Sequence, residues 1–238
     1  MKRNVITLPF VAIASLLLMS GLTGCLKNNN DSSTQPQAAV SILQVSPSDV
    51  SMDLYVNDDK INTTAITYPA AAYKTLKSAT YTFSLLNATT GDTIARRTDS
   101  LQSAYYSLIV YDTASATNML LFQDQFQSSS SNSGLFLRYL QLSPDAGPVD
   151  FYINTTLASA ERDFADIVYD PENAIFDGID AGVYNFTAVS ENTGDTLASL
   201  SNVTLTSQNG NAYTLMLRGL ASHGTDSLGL KLTLQANY

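Results

Sequence analysis

Leu43-Gln44-Val45-Ser46-Pro47 leads into Met52-Asp53-Leu54-Tyr55-Val56-Asn57, and the phrase returns as Leu140-Gln141-Leu142-Ser143-Pro144 leading into Val149-Asp150-Phe151-Tyr152-Ile153-Asn154. Matched positions differ by 97 throughout, from 43 to 140 and from 57 to 154, so the copies align without a gap. This constant offset marks an internal duplication, and a duplicated chain has to fold the same unit twice.

The repeated unit reads as strands. Met52, Leu54 and Val56 alternate with Asp53, Tyr55 and Asn57, and Tyr81, Phe83 and Leu85 alternate with Thr80, Thr82 and Ser84. Tyr106, Leu108 and Val110 form another row, and Met119 to Phe122 another short run. No stretch keeps a period of 3.6, so the class is all-β. Gly91, in Asn87-Ala88-Thr89-Thr90-Gly91-Asp92, is expected to supply the positive φ of a hairpin loop. Ala65 to Leu76, interrupted by Pro69, reads as an irregular edge segment.

In the second copy, Asn192-Thr193-Gly194-Asp195-Thr196 answers Thr89-Thr90-Gly91-Asp92-Thr93 at an offset of 103, which places six extra residues between Asn154 and Phe176. Tyr213, Leu215 and Leu217 follow at an offset of 107, after a small insertion at Asn209-Gly210-Asn211. Leu228, Leu230, Leu232 and Leu234 should close the second sheet. The expected organisation is a sandwich over 40–126, a Ser-rich linker over 127–134 and a second sandwich over 135–238. The solvated linker predicts two separable domains.

The N-terminus reads as an address. Lys2 and Arg3 precede an apolar run from Val5 to Met19, as in a secretory signal, and the run closes on Leu22-Thr23-Gly24-Cys25. That ending resembles the lipobox of bacterial lipoproteins. The resemblance implies a cleaved signal peptide over 1–24, diacylglycerol and palmitate-type acyl chains on Cys25, and a lipidated flexible tether over 25–39. Leu26 stands where inner-membrane retention signals resemble Asp, so the expected address is the outer membrane.

The doubled Ser-Pro phrase, together with Ala181-Gly182-Val183-Tyr184, resembles the secreted bacterial domain known as domain of unknown function 4397. The resemblance spans about Val40 to Tyr238 as two tandem copies, closer in the second. It implies immunoglobulin-like β-sandwiches in a Bacteroidota-type lipoprotein, and no known activity.

Composition narrows the chemistry. The net charge of −9 argues against a nucleic-acid partner. One Cys and one His cannot build a disulfide framework or a Cys/His metal centre within the chain, and no cofactor motif is present. The candidate binding residues are Asp150, Tyr152 and Asn154, with Phe164 and Tyr169 in the acidic insertion. The alternative for Asp150 and Asn154, as for Asp53 and Asn57, is turn and strand-end bonding. The insertion's acids, Glu161, Asp163, Asp166, Asp170 and Glu172, are either a solvated loop or a calcium site without EF-hand spacing.

His223 is the only histidine, and no Gly-x-Ser-x-Gly elbow accompanies it, so no catalytic residue is assigned. Thr93, Ser100, Thr113, Thr196 and Ser227 each follow an Asp and precede an apolar or small residue, resembling the acceptor of Bacteroidota O-glycosylation. The expected function is that of a non-catalytic, outer-membrane-anchored lipoprotein with a structural, adhesive or binding role. Its partners would be the membrane, through the anchor, and a glycan or an envelope protein. The alternatives are a glycan-capture accessory protein and, more distantly, a carbohydrate-active or other hydrolase. Any ligand is expected on a surface of the second repeat.

Overall fold

The duplication predicts that each copy repeats the other's strand order, and the computed structural model shows it. The structure describes residues 37–238 apart from 49, 113–115, 128–133 and 208–210. The leader, Cys25, most of the tether, Thr113, Ser128 to Ser133 and Asn209-Gly210 therefore lie outside the described residues.

In the first repeat, β1 (Gln37–Gln44), β4 (Ala70–Lys77), β7 (Tyr105–Asp112) and β8 (Thr117–Gln123) form one sheet in the order β4-β1-β7-β8. Facing it is a second sheet, in the order β3-β2-β5-β6, made by β2 (Met52–Val56), β3 (Asp59–Lys60), β5 (Ala79–Asn87) and β6 (Thr93–Leu101). The short β9 (Gln125–Phe126) follows. The second repeat uses β10 (Leu135–Gln141), β11 (Val149–Ile153), β12 (Thr156–Arg162), β13 (Ile175–Ile179), β14 (Gly182–Ser190), β15 (Thr196–Leu205), β16 (Ala212–Arg218) and β17 (Lys231–Ala236). Its sheets run β17-β16-β10-β13 and β12-β11-β14-β15, the same two orders, with β9 added outside β13. The opening strand lies parallel to its later neighbour in both copies, β1 with β7 and β10 with β16.

The rows that alternate in the sequence meet between the sheets. Val40, Ile42, Met52, Leu54, Phe83, Leu85, Leu108 and Val110 form one core, and Leu137, Phe151, Phe186, Leu215 and Leu217 belong to the other. Gly91 and Gly194 have φ of 78° and 74°, as the hairpin reading requires. The insertion becomes the longer β12, a four-residue helix α1 (Asp166–Tyr169) and a 3-10 turn at Pro171–Ala174.

Two expectations change. Ala70–Lys77 is a regular strand paired with β1 along its whole length, because Pro69 sits just before it rather than within it. The two repeats also do not stand apart: a third core of Leu43, Val45, Ile109, Tyr111, Leu140, Leu142, Ile167 and Met216 joins them, and Gln35–Tyr238 is one compact unit. The central strands of these sheets, β1, β7, β10 and β16, are therefore covered on both faces, one by their own sandwich and one by the other repeat.

The seam between the repeats also buries polar groups. Arg138, fully buried, donates to Asp124 Oδ1 (2.9 Å), Ser107 Oγ (2.8 Å) and Thr214 Oγ1 (3.0 Å), and lies over the ring of Phe176. Asn237 links Thr214 to Ser41, and the Tyr238 hydroxyl donates to Asp124 Oδ2 at 2.6 Å.

Candidate functional site

The doubled stripe Asp-Tyr-Asn is built from bonds within each repeat. Asn57 and Asn154 end β2 and β11 in the left-handed region, with φ of 58° and 55°. Their Oδ1 atoms accept from Thr82 N and Asn185 N, both at 3.0 Å, across the sheet. Asp150 Oδ1 accepts from Glu161 N at 2.8 Å, and the register shifts between Val149 and Phe151. Asp53 takes Lys60 Nζ at 2.7 Å and Asn62 Nδ2 at 2.9 Å. The hydrogen bond from Lys60 holds its carboxyl below the usual range, with burial opposing and Asn62 assisting. Tyr152 is half-buried between these clamps.

The Ser-Pro turns, which the alternative reading gave to the aspartates, are held instead by Gln44 and Gln141. Gln44 Oε1 accepts from Ser46 N (2.9 Å) and Gln141 Oε1 from Ser143 N (2.7 Å).

The acidic insertion is organised around Arg162. Its guanidinium donates to Asp170 Oδ2, Glu172 Oε2 and Asn173 Oδ1 at 3.1, 3.0 and 2.6 Å. Asp163 and Asp166 accept from the backbone N–H groups of Ala165 and Asp163. Among the described residues no group of three or more His, Cys, Asp or Glu is arranged to hold a metal. Phe164 packs edge-on to Tyr111 at 6.0 Å and against the seam core, so it is a structural residue. Tyr169, by contrast, is 85% exposed. The structure thus separates the two aromatic residues that the sequence reading paired.

Thr93, Ser100, Thr196 and Ser227 are all exposed, on β6, at the start of β15 and in a turn. In that turn His223 Nδ1 lies 2.9 Å from Asp226 Oδ2, and the pair is exposed.

The arrangement that the sequence reading missed lies in the first repeat. A cleft of about 350 Å³ opens between β4 and the loop Ile61–Thr67, with Ile42, Leu54, Ile61 and Ile66 in its lining. Ala72 pairs directly with Ile42 and so shares its inward face, yet it is exposed. At the equivalent positions the second repeat has Tyr139 for Ile42 and Phe151 for Leu54 at the offset of 97, and Ile175 for Ala72 at the offset of 103. Tyr139 and Phe151 pack at 5.7 Å, and burial pushes the Tyr139 hydroxyl's pKa well up. The space left there is about 210 Å³ and is lined by Arg162, Glu172 and Asp177. Three larger side chains thus narrow in one copy what is wider in the other. Comparing the copies position by position could have found this; alternation alone could not, because Ala and Ile both count as apolar.

No curated protein matches this chain. Among solved structures, a streptococcal virulence factor described for alpha-glucan binding has 10% identity over 75% of this chain and 93% of its own, with a TM-score of 0.24. A family 26 carbohydrate-binding module from Eubacterium rectale, in complex with maltoheptaose, has 13% identity over 84% and 97%, with a TM-score of 0.25. A segment running from β1 into β11, residues 38–152, matches the family described as domain of unknown function 4397.

Proposed function

We propose that this chain is a non-catalytic, lipid-anchored protein of the outer membrane that carries two copies of the matched domain as one stiff binding body. The observation that carries the reading is the buried seam. A shared apolar core and the Arg138 network fix one sandwich against the other, so whatever the body binds is held in a fixed orientation at the end of a polar tether. The duplicated strand order supports two copies of the domain. The anchor rests on Leu22-Thr23-Gly24-Cys25 after the apolar leader, since two or three acyl chains hold stably where one does not. A glycan is the second ligand class: Tyr73 and Tyr105, 53% and 46% exposed, offer ring faces that suit a sugar.

The test of the anchor is the mature N-terminus. Mass spectrometry should find an acylated Cys25, and Cys25→Ser should move the protein into the soluble fraction after a high-salt wash. Retention of the Ser variant in the membrane fraction would refute the reading.

A further inference from the structure

The geometry points to an acceptor for an extended polypeptide strand, formed by the edge of β4 that no described strand covers and the cleft behind it. The occupant is a segment of a partner protein with apolar residues at alternate positions and a carboxylate near its end. The inference deepens the binding role proposed above and rests on that role for its purpose alone.

β4 pairs with β1 from Gln37 opposite Lys77 to Gln44 opposite Ala70, and among the described residues no strand lies on its other side. Eight residues of strand edge present a row of N–H and C=O groups, a template for another strand. The second repeat shows how the equivalent edge is used. There β9 lies parallel to β13, with Gln125 beside Ile175 and Phe126 beside Phe176, and Gln127 N donates to Phe176 O at 3.0 Å. Phe126 stacks on Phe176 with centroids 5.0 Å apart. This fold therefore takes a parallel strand at this edge in one copy, while in the other no described strand lies there.

The cleft says what kind of strand fits. A residue set beside Ala72 shares that residue's inward face and drops into the space over Ile42 and Leu54, whereas its neighbour beside Tyr73 faces outward. Because Ala72 replaces the Ile175 of the other copy, the space takes a Val, Ile or Leu side chain. Outward, Tyr73 meets Tyr238 edge-on at 5.9 Å, so the added strand continues the seam between the repeats. Lys74 and Lys77 are exposed on β4, and neither forms an ion pair among the described residues, which calls for a carboxylate on the partner. The chain's own tether is a poor match: the offset of 97 sets Asn28 and Asn29 where Gln125 and Phe126 stand, with no apolar side chain for the cleft and no ring for Tyr73.

The experiment uses the full chain in detergent and a synthetic peptide of alternating valine and threonine ending in aspartate. Fluorescence anisotropy should report binding, and amide hydrogen exchange should slow along β4 while β13 is unchanged. Ala72→Ile, which copies Ile175 into the cleft, should weaken binding about tenfold or more without lowering the melting temperature. Lys74→Glu with Lys77→Glu should weaken the aspartate peptide and favour one ending in lysine. The proposal is overturned if the peptide does not bind, if protection appears away from β4 and the loop Ile61–Thr67, if the Ala72→Ile protein binds equally well, or if a linear glucan occupies the cleft and the peptide does not. None of these results would alter the fractionation of the Cys25→Ser protein, so failure here leaves the anchor reading separately testable.

Discussion

Arg138 shows how far single residues follow from the sequence. It stands between Leu137 and Tyr139, where alternation gives it the outward and therefore solvated face of β10. The structure buries it completely, because the outward face of β10 is covered by the other repeat. The signal was present in Leu43, Val45 and Leu140, apolar residues on the same outward rows, but it needs both copies folded before it means a seam. Burial pushes the guanidinium's pKa down, and Asp124 beside it pulls the other way. Removing one partner of such a pair leaves a charge uncompensated, so Asp124→Ala should cost about 3–5 kcal/mol in denaturant unfolding. Tyr238 gives a pH prediction at the same place. Burial first, then the Asp124 carboxylate, raises its pKa above the ordinary 10. The folded state thus favours the neutral phenol; its contribution is whole below pH 10 and is lost as pH rises through the raised pKa. Thermal melts across the alkaline range should show a fall in stability that Tyr238→Phe makes shallower.

At the scale of elements, alternation found the strands because each has one face in a sandwich core, and Gly91 and Gly194 found their turns because the loops need positive φ. The doubled asparagines were harder to read, since an exposed polar residue at a strand end serves binding and backbone geometry equally well. Their φ and their cross-sheet acceptors decide for geometry. Asn154→Ala should therefore lower stability by about 1 kcal/mol, from a left-handed backbone and a lost acceptor. Asn154→Gly, which keeps the backbone and loses only the acceptor, should cost less, and Asn57 should show the same order. Equal losses for the two variants would mean that the backbone conformation contributes nothing. β4 poses a related difficulty: its edge position is legible, but a proline at the mouth of an edge strand looks, in sequence, like one inside it.

The duplication declares two units, but nothing in a single alternating strand says whether their outer faces meet. Each repeat contributes matching rows to the seam, Leu43 with Leu140 and Ile109 with Met216, so one surface patch packs against its own copy as in a two-fold dimer tied into one chain. The peptide link over 127–134 is then not what holds the halves together. Limited proteolysis there should nick the chain into two fragments that denaturing electrophoresis resolves, while gel filtration of the native sample still gives one particle of the original size. The same nick in the Asp124→Ala protein should release the halves, because the buried pair spans the seam and the apolar contacts that remain must then hold two separate chains at the cost of their lost freedom. If the nicked parent protein separates on the column, the seam is too weak to act alone and the stiff body depends on the linker.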